Sequence, residues 1–282
     1  MIELTNLKEL VRTLKQPMQS CTLSTVKPHN DIIQLKYDGW WCALVYKNGY
    51  RYYVTAGADI RKKEPTRIAF NAVFVGEWMY GTNWSQTVKP GSVFIHDVYQ
   101  FESSDAYQHP YSIRYDFLKA IITPQLVEKD LYLLQNYPVS HAIDTYQEYC
   151  IERGFEGLVF KNSAHMWGEP FQRFKKTMTM DYICTQLVEG SGRLSGTLGA
   201  IQGGLYVDGK LQSICSVGGG MTDSVRAEIW ANPEKYLGFV FEASGYNIFP
   251  SGALRHPNFL RWRIGEKSPE ECIWIKEHES IY

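Results

Sequence analysis

The feature that most constrains the fold is a succession of four strand-like runs early in the chain: IIQLKYDG, WWCALVYKNGYRYYVTA, AVFVGEWMYG and SVFIHDVYQF. Each is rich in β-branched and aromatic residues, and turn residues break them up, Asn48-Gly49 being the strongest hairpin signal. Such runs predict antiparallel sheet. A chain of 282 residues with 44% hydrophobic content can cover that sheet and divide into two domains. Two helical stretches follow, IRYDFLKAII and AIDTYQEYCIER, the second ending at Gly154 as a C-cap would. Strand signals return in EGLVFKN, FQRFKK and MDYICTQLVEG. From about residue 183 glycines become frequent between short strand-like pieces, and Thr222 stands as a cap before the helix DSVRAEIW. The expected class is α+β: antiparallel sheets flanked by helices, then a small β-barrel of the five-stranded OB type.

Composition excludes several functions. The opening residues carry charges where a signal peptide needs an apolar stretch, and no later run is long enough to cross a bilayer. Cys21, Cys42, Cys150, Cys184, Cys215 and Cys272 are scattered without a C-x-x-C pair, which argues against a zinc module or a disulfide framework and for a reduced cytoplasm. The formal net charge of -1 does not imply a uniformly basic face. Positive charge is clustered instead, at Arg61, Lys62 and Lys63, at RFKK (173–176), and at Arg255, Arg261, Arg263 and Lys267.

Strand periodicity sorts the polar residues. In IIQLKYDG it groups Ile32, Gln34, Lys36 and Asp38 on one face and Ile33, Leu35 and Tyr37 on the other. Glu77 shares a face with Val73 and Val75, and Gly76 removes a side chain beside it. Glu156 heads an apolar strand and is again followed by glycine. Buried carboxylates cost several kcal/mol unless paired or bound to metal, so two of them on strands suggest either structural ion pairs or a site. In FQRFKKTMTM one parity groups Phe174, Lys176, Met178 and Met180 as a core face, which aims Arg173 and Lys175 into a cleft. Taken alone, Lys36 beside Asp38-Gly39 fits a hairpin with an edge charge. Taken with the glutamates and the basic strand, it fits a nucleophile attacking a phosphate. Such a lysine must be uncharged, whereas its reference pKa is about 10.4, so neighbouring cations and desolvation would have to favour the free amine.

In this order and spacing the motifs resemble those of the small ATP-dependent DNA ligases typical of bacteriophages and other viruses, within the covalent nucleotidyltransferase superfamily. They are KYDG (36–39), FVGEW (74–78), FIHDV (94–98), EGLVFK (156–161), RFK (173–175) and the tail GALRHPNFLRWRIGEK (252–267), which together span nearly the whole chain. The resemblance implies a nucleotidyltransferase (adenylation) domain over 1–184 and an OB-fold domain over 185–282. It implies that Lys36 takes AMP from ATP as a lysyl phosphoramidate, passes it to the 5′-phosphate of a nick in duplex DNA, and that the 3′-hydroxyl then displaces AMP. Glu77 and Glu156 would hold magnesium or manganese or the ribose. Lys175 and Arg173 would grip the α-phosphate, and Arg263, with Lys267, would serve lysine adenylylation through a swing of the second domain. Asp38, Lys161 and either Phe94 or His96 would complete the nucleotide pocket, the last two as the ring stacked on adenine. A monomer in the cytoplasm (of the host, if viral) is the implied setting, with roles in repair, replication or recombination.

The sequence departs from the family pattern at several points. Trp41 stands where the family carries arginine, Thr55-Ala56 where it carries Ser-Arg, His96 where an aromatic is usual, and Arg173 where the first lysine of K-x-K is usual. Arg51, or the run Arg61, Lys62 and Lys63, is the substitute for the missing nucleic-acid contacts. The rival enzymes are an mRNA-capping guanylyltransferase and an RNA ligase. A non-catalytic OB protein that binds nucleic acid is the rival from another class.

Overall fold

The computed structural model describes residues 4–80, 89–122, 129–153 and 155–275. Gly154, the expected cap, lies outside them. Two compact units divide the chain, Met1–Lys175 and Lys176–Tyr282. The division falls ahead of residue 184 because the strand that crosses that position is continuous.

In chain order the first unit runs α1 (Leu7–Leu14), β1 (Met18–Ser20), β2 (Ile32–Lys36), β3 (Trp40–Lys47), β4 (Tyr50–Thr55), β5 (Ile60–Pro65), β6 (Ala72–Trp78), β7 (Val93–Phe101), α2 (Tyr111–Ile121), β8 (Leu131–Leu133), β9 (Tyr137–Pro138), α3 (Ala142–Thr145), β10 (Gly157–Lys161) and β11 (Phe171–Lys175). Two sheets result. One has the order β1-β11-β10-β2-β9, the other β5-β4-β3-β6-β7-β8. The β3–β4 hairpin turns on Asn48 and Gly49, with φ of 52° and 76° as a type I′ turn requires. Asn6 caps α1 by accepting a 3.2 Å hydrogen bond from the Glu9 amide. The second expected helix is shorter than its pattern: α3 spans four residues and continues as π-helical turns over Tyr146–Glu152.

Apolar clusters cover both faces of the six-stranded sheet. Val73, Val75, Ala43 and Val45 pack with Leu10, Val11 and Leu14 of α1. Leu44, Phe74 and Trp78 pack with Leu118 of α2 and with Val159 and Phe171 of the other sheet. That last contact fixes the two sheets of the unit against each other.

The second unit carries β12 (Met178–Glu189), β13 (Leu198–Val207), β14 (Lys210–Val217), α4 (Asp223–Ala231), β15 (Val240–Gly245), β16 (Asn258–Trp262) and β17 (Ile273–Trp274). Its sheet has the order β14-β13-β12-β15-β16, with β17 added on β13. Thr222 caps α4 as expected, accepting from the Val225 amide at 3.3 Å. The expected closed barrel is not formed. Among the described residues the two sheet edges meet in a single bridge, Gly219 with Asn258, instead of a ladder. The class is α+β with largely antiparallel sheets. None of the six cysteines forms a disulfide, and no helix among the described residues is long and apolar enough to cross a membrane.

Candidate active site

β2 is paired on both sides, with β10 and β9, and Lys36 is its last residue, opposite Gly157 of β10. The alternation read from sequence holds. Ile33 and Leu35 enter the core with Leu158 and Phe160, while Gln34 and Lys36 line a cavity on the opposite face. Beyond Lys36 the chain leaves this sheet and enters the six-stranded one as β3. Asp38-Gly39 therefore links two sheets and does not close a hairpin. A Cβ on Gly39 would stand 3.0 Å from Trp78 O, so a larger residue there would make the crossing tight.

Glu156 immediately precedes Gly157, and Gly157 is flanked by Lys36 on β2 and Lys175 on β11. The carboxylate is consequently held between two ammonium groups. Lys36 Nζ donates to Glu156 Oε2 at 2.5 Å, and Lys175 Nζ pairs with Oε1. Glycine is required at 157 because a Cβ would lie 2.0 Å from Phe174 O of β11. The same holds at Gly76, where a Cβ would stand 2.4 Å from Phe94 O. Both glycines thus serve the approach of a neighbouring strand, not clearance beside the carboxylate.

The two glutamates are electrostatic opposites. Burial pushes Glu156 up, but Lys36 and Lys175 more than offset it, and the carboxyl ends below the usual range. Burial likewise raises Glu77, and Lys36 only partly counters it while Glu156 and Asp38 add to it, so Glu77 is pushed up to about 8. Glu77 therefore holds a proton near neutrality, which a pocket lining of Lys36, Tyr37, His96 and Lys161 surrounds.

Behind these groups lies a buried polar framework. Arg114 donates to both oxygens of Asp97 at 2.8 and 3.0 Å, with both side chains 0% exposed, and also to the carbonyl of His109 at 2.6 Å. Lys161 Nζ donates to His96 O at 3.3 Å and lies over the rings of Tyr111 and Phe171. Burial lowers Lys161 to about 7 and His96 to about 3, so the imidazole is neutral. His96 Nδ1 is buried with no partner among the described residues. Arg114 was missed by the sequence reading, yet it had a signal. It occupies the apolar stripe of α2 with Tyr111, Tyr115, Leu118 and Ile121, a position where an unpaired charge is not tolerated.

The remaining expected residues separate into those at the cavity and those elsewhere. His96 lines it; Phe94 is instead stacked between Tyr37, at 4.1 Å, and Tyr132, at 5.2 Å. Arg173 lies on β11 two residues before Lys175, and its Nε is buried without a hydrogen-bond partner among the described residues. Arg51 is 4% exposed and bound to Glu64 and Asp130, with Arg51 Nη1 and Nη2 donating to the two Asp130 oxygens at 3.1 and 2.9 Å. Its expected contact with nucleic acid is corrected on that ground: the guanidinium is occupied in a buried ion cluster. Arg61, Lys62 and Lys63 are exposed on β5, the first two paired with Asp59 and Glu64. Trp41 packs against the α1 cluster, Thr55 donates to Asp59, and Ala56 is exposed. In the second unit Lys267 donates to Asp181 at 2.9 Å, and Arg263 pairs with Asp181 and Glu242.

No set of three or more His, Cys, Asp or Glu among the described residues converges as a metal cage. Magnesium is commonly held by one or two carboxylates together with substrate phosphates; at this site Glu156 is engaged by two lysines and Glu77 carries a proton near neutrality.

No family model and no curated protein matches the chain. Solved structures do. One described as "DNA binding with a minimal scaffold: Structure-function analysis of Lig E DNA ligases" superposes with a TM-score of 0.67 at 14% identity, covering 88% of this chain and 98% of that one. Two described as "Pmar-Lig_PreS3" and "Pmar-Lig_Pre." each give a TM-score of 0.66 over 88% of this chain and 67% of theirs, at 18% and 17% identity. Identities this low carry the fold and nothing finer, and the fold of this chain is that of solved small DNA-ligase structures.

Proposed function

We propose that the chain is an ATP-dependent DNA ligase that seals 5′-phosphate/3′-hydroxyl nicks in duplex DNA. The observation that carries this reading is the Lys36–Glu156–Lys175 cluster, whose Lys36 also lines a small cavity with Glu77, His96 and Lys161. Lys36 Nζ, once deprotonated, attacks the α-phosphorus of ATP. The bond to the pyrophosphate oxygen breaks as the N–P bond forms, and pyrophosphate leaves. Lys175, with Arg173 beside it, is placed to neutralise charge on the phosphate oxygens in a site shielded from water. Glu156 holds both lysines in position before the nucleotide arrives. A divalent ion brought by the phosphates would withdraw charge from them, with Glu156 and, once it has given up its proton, Glu77 as its protein ligands. Lys36 then loses AMP to the nick 5′-phosphate, and the 3′-hydroxyl oxygen displaces AMP to form the phosphodiester. His96, one of the cavity rings with Tyr37 and Phe171, takes the base-stacking role in preference to Phe94, which is held between Tyr37 and Tyr132.

Incubation with α-labelled ATP, GTP or NAD, followed by denaturing electrophoresis, tests the reading. Acid-labile label from ATP alone, absent in Lys36→Ala, is the expected result, together with sealing of a nicked duplex. Label from GTP alone indicates a capping-type guanylyltransferase, and no label from any donor rejects covalent nucleotidyl transfer.

A further inference from the structure

Lys36 and Glu156 both sit where strand pairing ends. Lys36 is the last residue of β2, its partner Gly157 is the first of β10, and Glu156 lies one residue outside that ladder. A lysine side chain rotates about several bonds, so strand pairing alone does not fix where such an amine points. A second constraint acts one residue further on. The Tyr37 ring is stacked on Phe94, with centres 4.1 Å apart and planes at 22°, and it meets Phe155 edge-on at 5.1 Å and 88°. Phe155 immediately precedes Glu156, and Phe94 is the cross-strand partner of Glu77 in the β6–β7 ladder. The residue that follows the lysine therefore touches a ring beside each of the two glutamates.

The same contact bridges the two sheets of the first unit. Tyr37 follows β2 of the five-stranded sheet, whereas Phe94 belongs to β7 of the six-stranded one. Each neighbouring ring is itself held from behind: Phe94 is stacked on Tyr132 at 5.2 Å, and Phe155 meets Tyr149 edge-on at 5.8 Å. Stacked and edge-to-face contacts fix the orientation of a ring as well as its position, which an aliphatic side chain of similar bulk does not do. Burial, and after it the nearby Tyr149, raises the Tyr37 phenol, so the hydroxyl keeps its proton and offers no base. The ring is what remains to act. We propose that Tyr37 is a positioning residue, whose ring, wedged between Phe94 and Phe155, holds Lys36 in line with Glu77 and Glu156 across the two sheets. This rests on the ligase reading above, in which Lys36 is the nucleophile.

The test is single-turnover adenylylation by the full chain over a range of ATP concentrations, with variants whose Tm matches wild type. Tyr37→Leu keeps apolar bulk but loses both ring contacts. Its maximal rate is expected to fall about tenfold to a hundredfold, as a misplaced reacting group does, with half-saturating ATP within about twofold of wild type. Tyr37→Phe keeps the ring and should recover most of that loss. Phe155→Leu leaves the Phe94 contact in place and should show the same split with a smaller loss, and it carries the test if Tyr37→Leu is unstable. In the double variant the two losses should overlap and not multiply, as residues acting through one contact require. Full rate in both leucine variants overturns the inference. So does a loss confined to half-saturating ATP, which makes Tyr37 a substrate contact, or a Tyr37→Phe as slow as Tyr37→Leu, which assigns the effect to the hydroxyl. If wild type forms no lysyl adduct with ATP, the ligase reading itself fails and takes this inference with it.

Discussion

Two clusters of cations and carboxylates stand in the two units, and they differ in what surrounds them. In the first, Lys36, Glu156 and Lys175 are 15%, 9% and 18% exposed and share one carboxylate between two ammonium groups. In the second, Arg261, Arg263 and Lys267 share Asp181, Glu242 and Glu266, with exposures up to 49% and roughly one carboxylate for each cation. The second opens to water on its Arg261 and Glu266 side, where screening leaves its ion pairs adding little stability. The first pays a desolvation penalty that a structural role alone does not explain, since apolar side chains would fill the same space at no loss. Recession of the shared carboxylate, more than the number of ion pairs, is what distinguishes the first cluster from the second.

The largest break in that contrast comes from Glu156→Ala. It leaves Lys36 and Lys175 facing each other without a carboxylate in a recessed position, a loss of about 3 kcal/mol in unfolding free energy. Adenylylation at saturating ATP is expected to drop at least about a hundredfold, since both lysines lose their fixed positions. Urea unfolding and initial rates of label transfer check the two effects. Glu156→Gln separates them: it preserves shape and one hydrogen bond, so it should recover part of the stability and little of the rate.

Glu77 sharpens the contrast through pH. Its carboxyl is pushed up to about 8, mainly by burial, so between about 4.5 and about 8 the folded state keeps a proton that the unfolded state releases. The unfolded chain binds fewer protons in that window, and stability falls as pH rises through it. Glu77→Gln removes the titration. The variant should match wild type at pH 4 and exceed it above pH 8 by on the order of a few kcal/mol, read from Tm across pH. A pH-independent difference would place Glu77 in a less recessed setting.

The glycine that seats Glu156 predicts a smaller effect, localised to one strand pair. Gly157→Ala forces a Cβ against Phe174 O and must part β10 from β11, shifting Lys175 away from Glu156. A loss of about 1–3 kcal/mol is expected from overpacking, with adenylylation falling further than stability alone accounts for. Gly49→Ala is the control, because nothing lies within 4 Å of a Cβ there and its cost is the positive φ alone.

How much of this was legible in the sequence follows from range. Strand parity is local, so the placing of Lys36 on the Gln34 face and away from Ile33 could be read directly, as could Asn48-Gly49 and Thr222. The partners of buried charges are distant. Nothing near Arg51 in sequence announces Asp130, and its guanidinium is therefore in a core ion cluster where sequence offered it to nucleic acid. Parity also fails where a strand ends: β11 stops at Lys175 and Met178 begins a strand of the other unit, so one alternation cannot run through FQRFKKTMTM. The Asp38-Gly39 turn has hairpin chemistry but changes sheets, because sheet membership is decided by long-range pairing. Closure of the second sheet was unreadable for the same reason, being a property of edges that only tertiary contact brings together.

The smallest expected effect tests the exposed half of the comparison. Asp181 accepts from Lys267 at 2.9 Å and lies 3.5 Å from Arg263, and its hydrogen bond is the main cause that raises Lys267 above its usual range. Asp181→Asn keeps the shape and a hydrogen-bond acceptor while removing the charge. Because these side chains are reached by water, the cost should stay within about 1 kcal/mol, and 1 M salt, with a Debye length of about 3 Å, should erase most of the difference. The Glu156→Ala deficit, set in a recessed cluster, should survive the same salt. A loss at Asp181 that is large and insensitive to salt would mean that the second cluster is as shielded as the first, and burial would no longer distinguish the two.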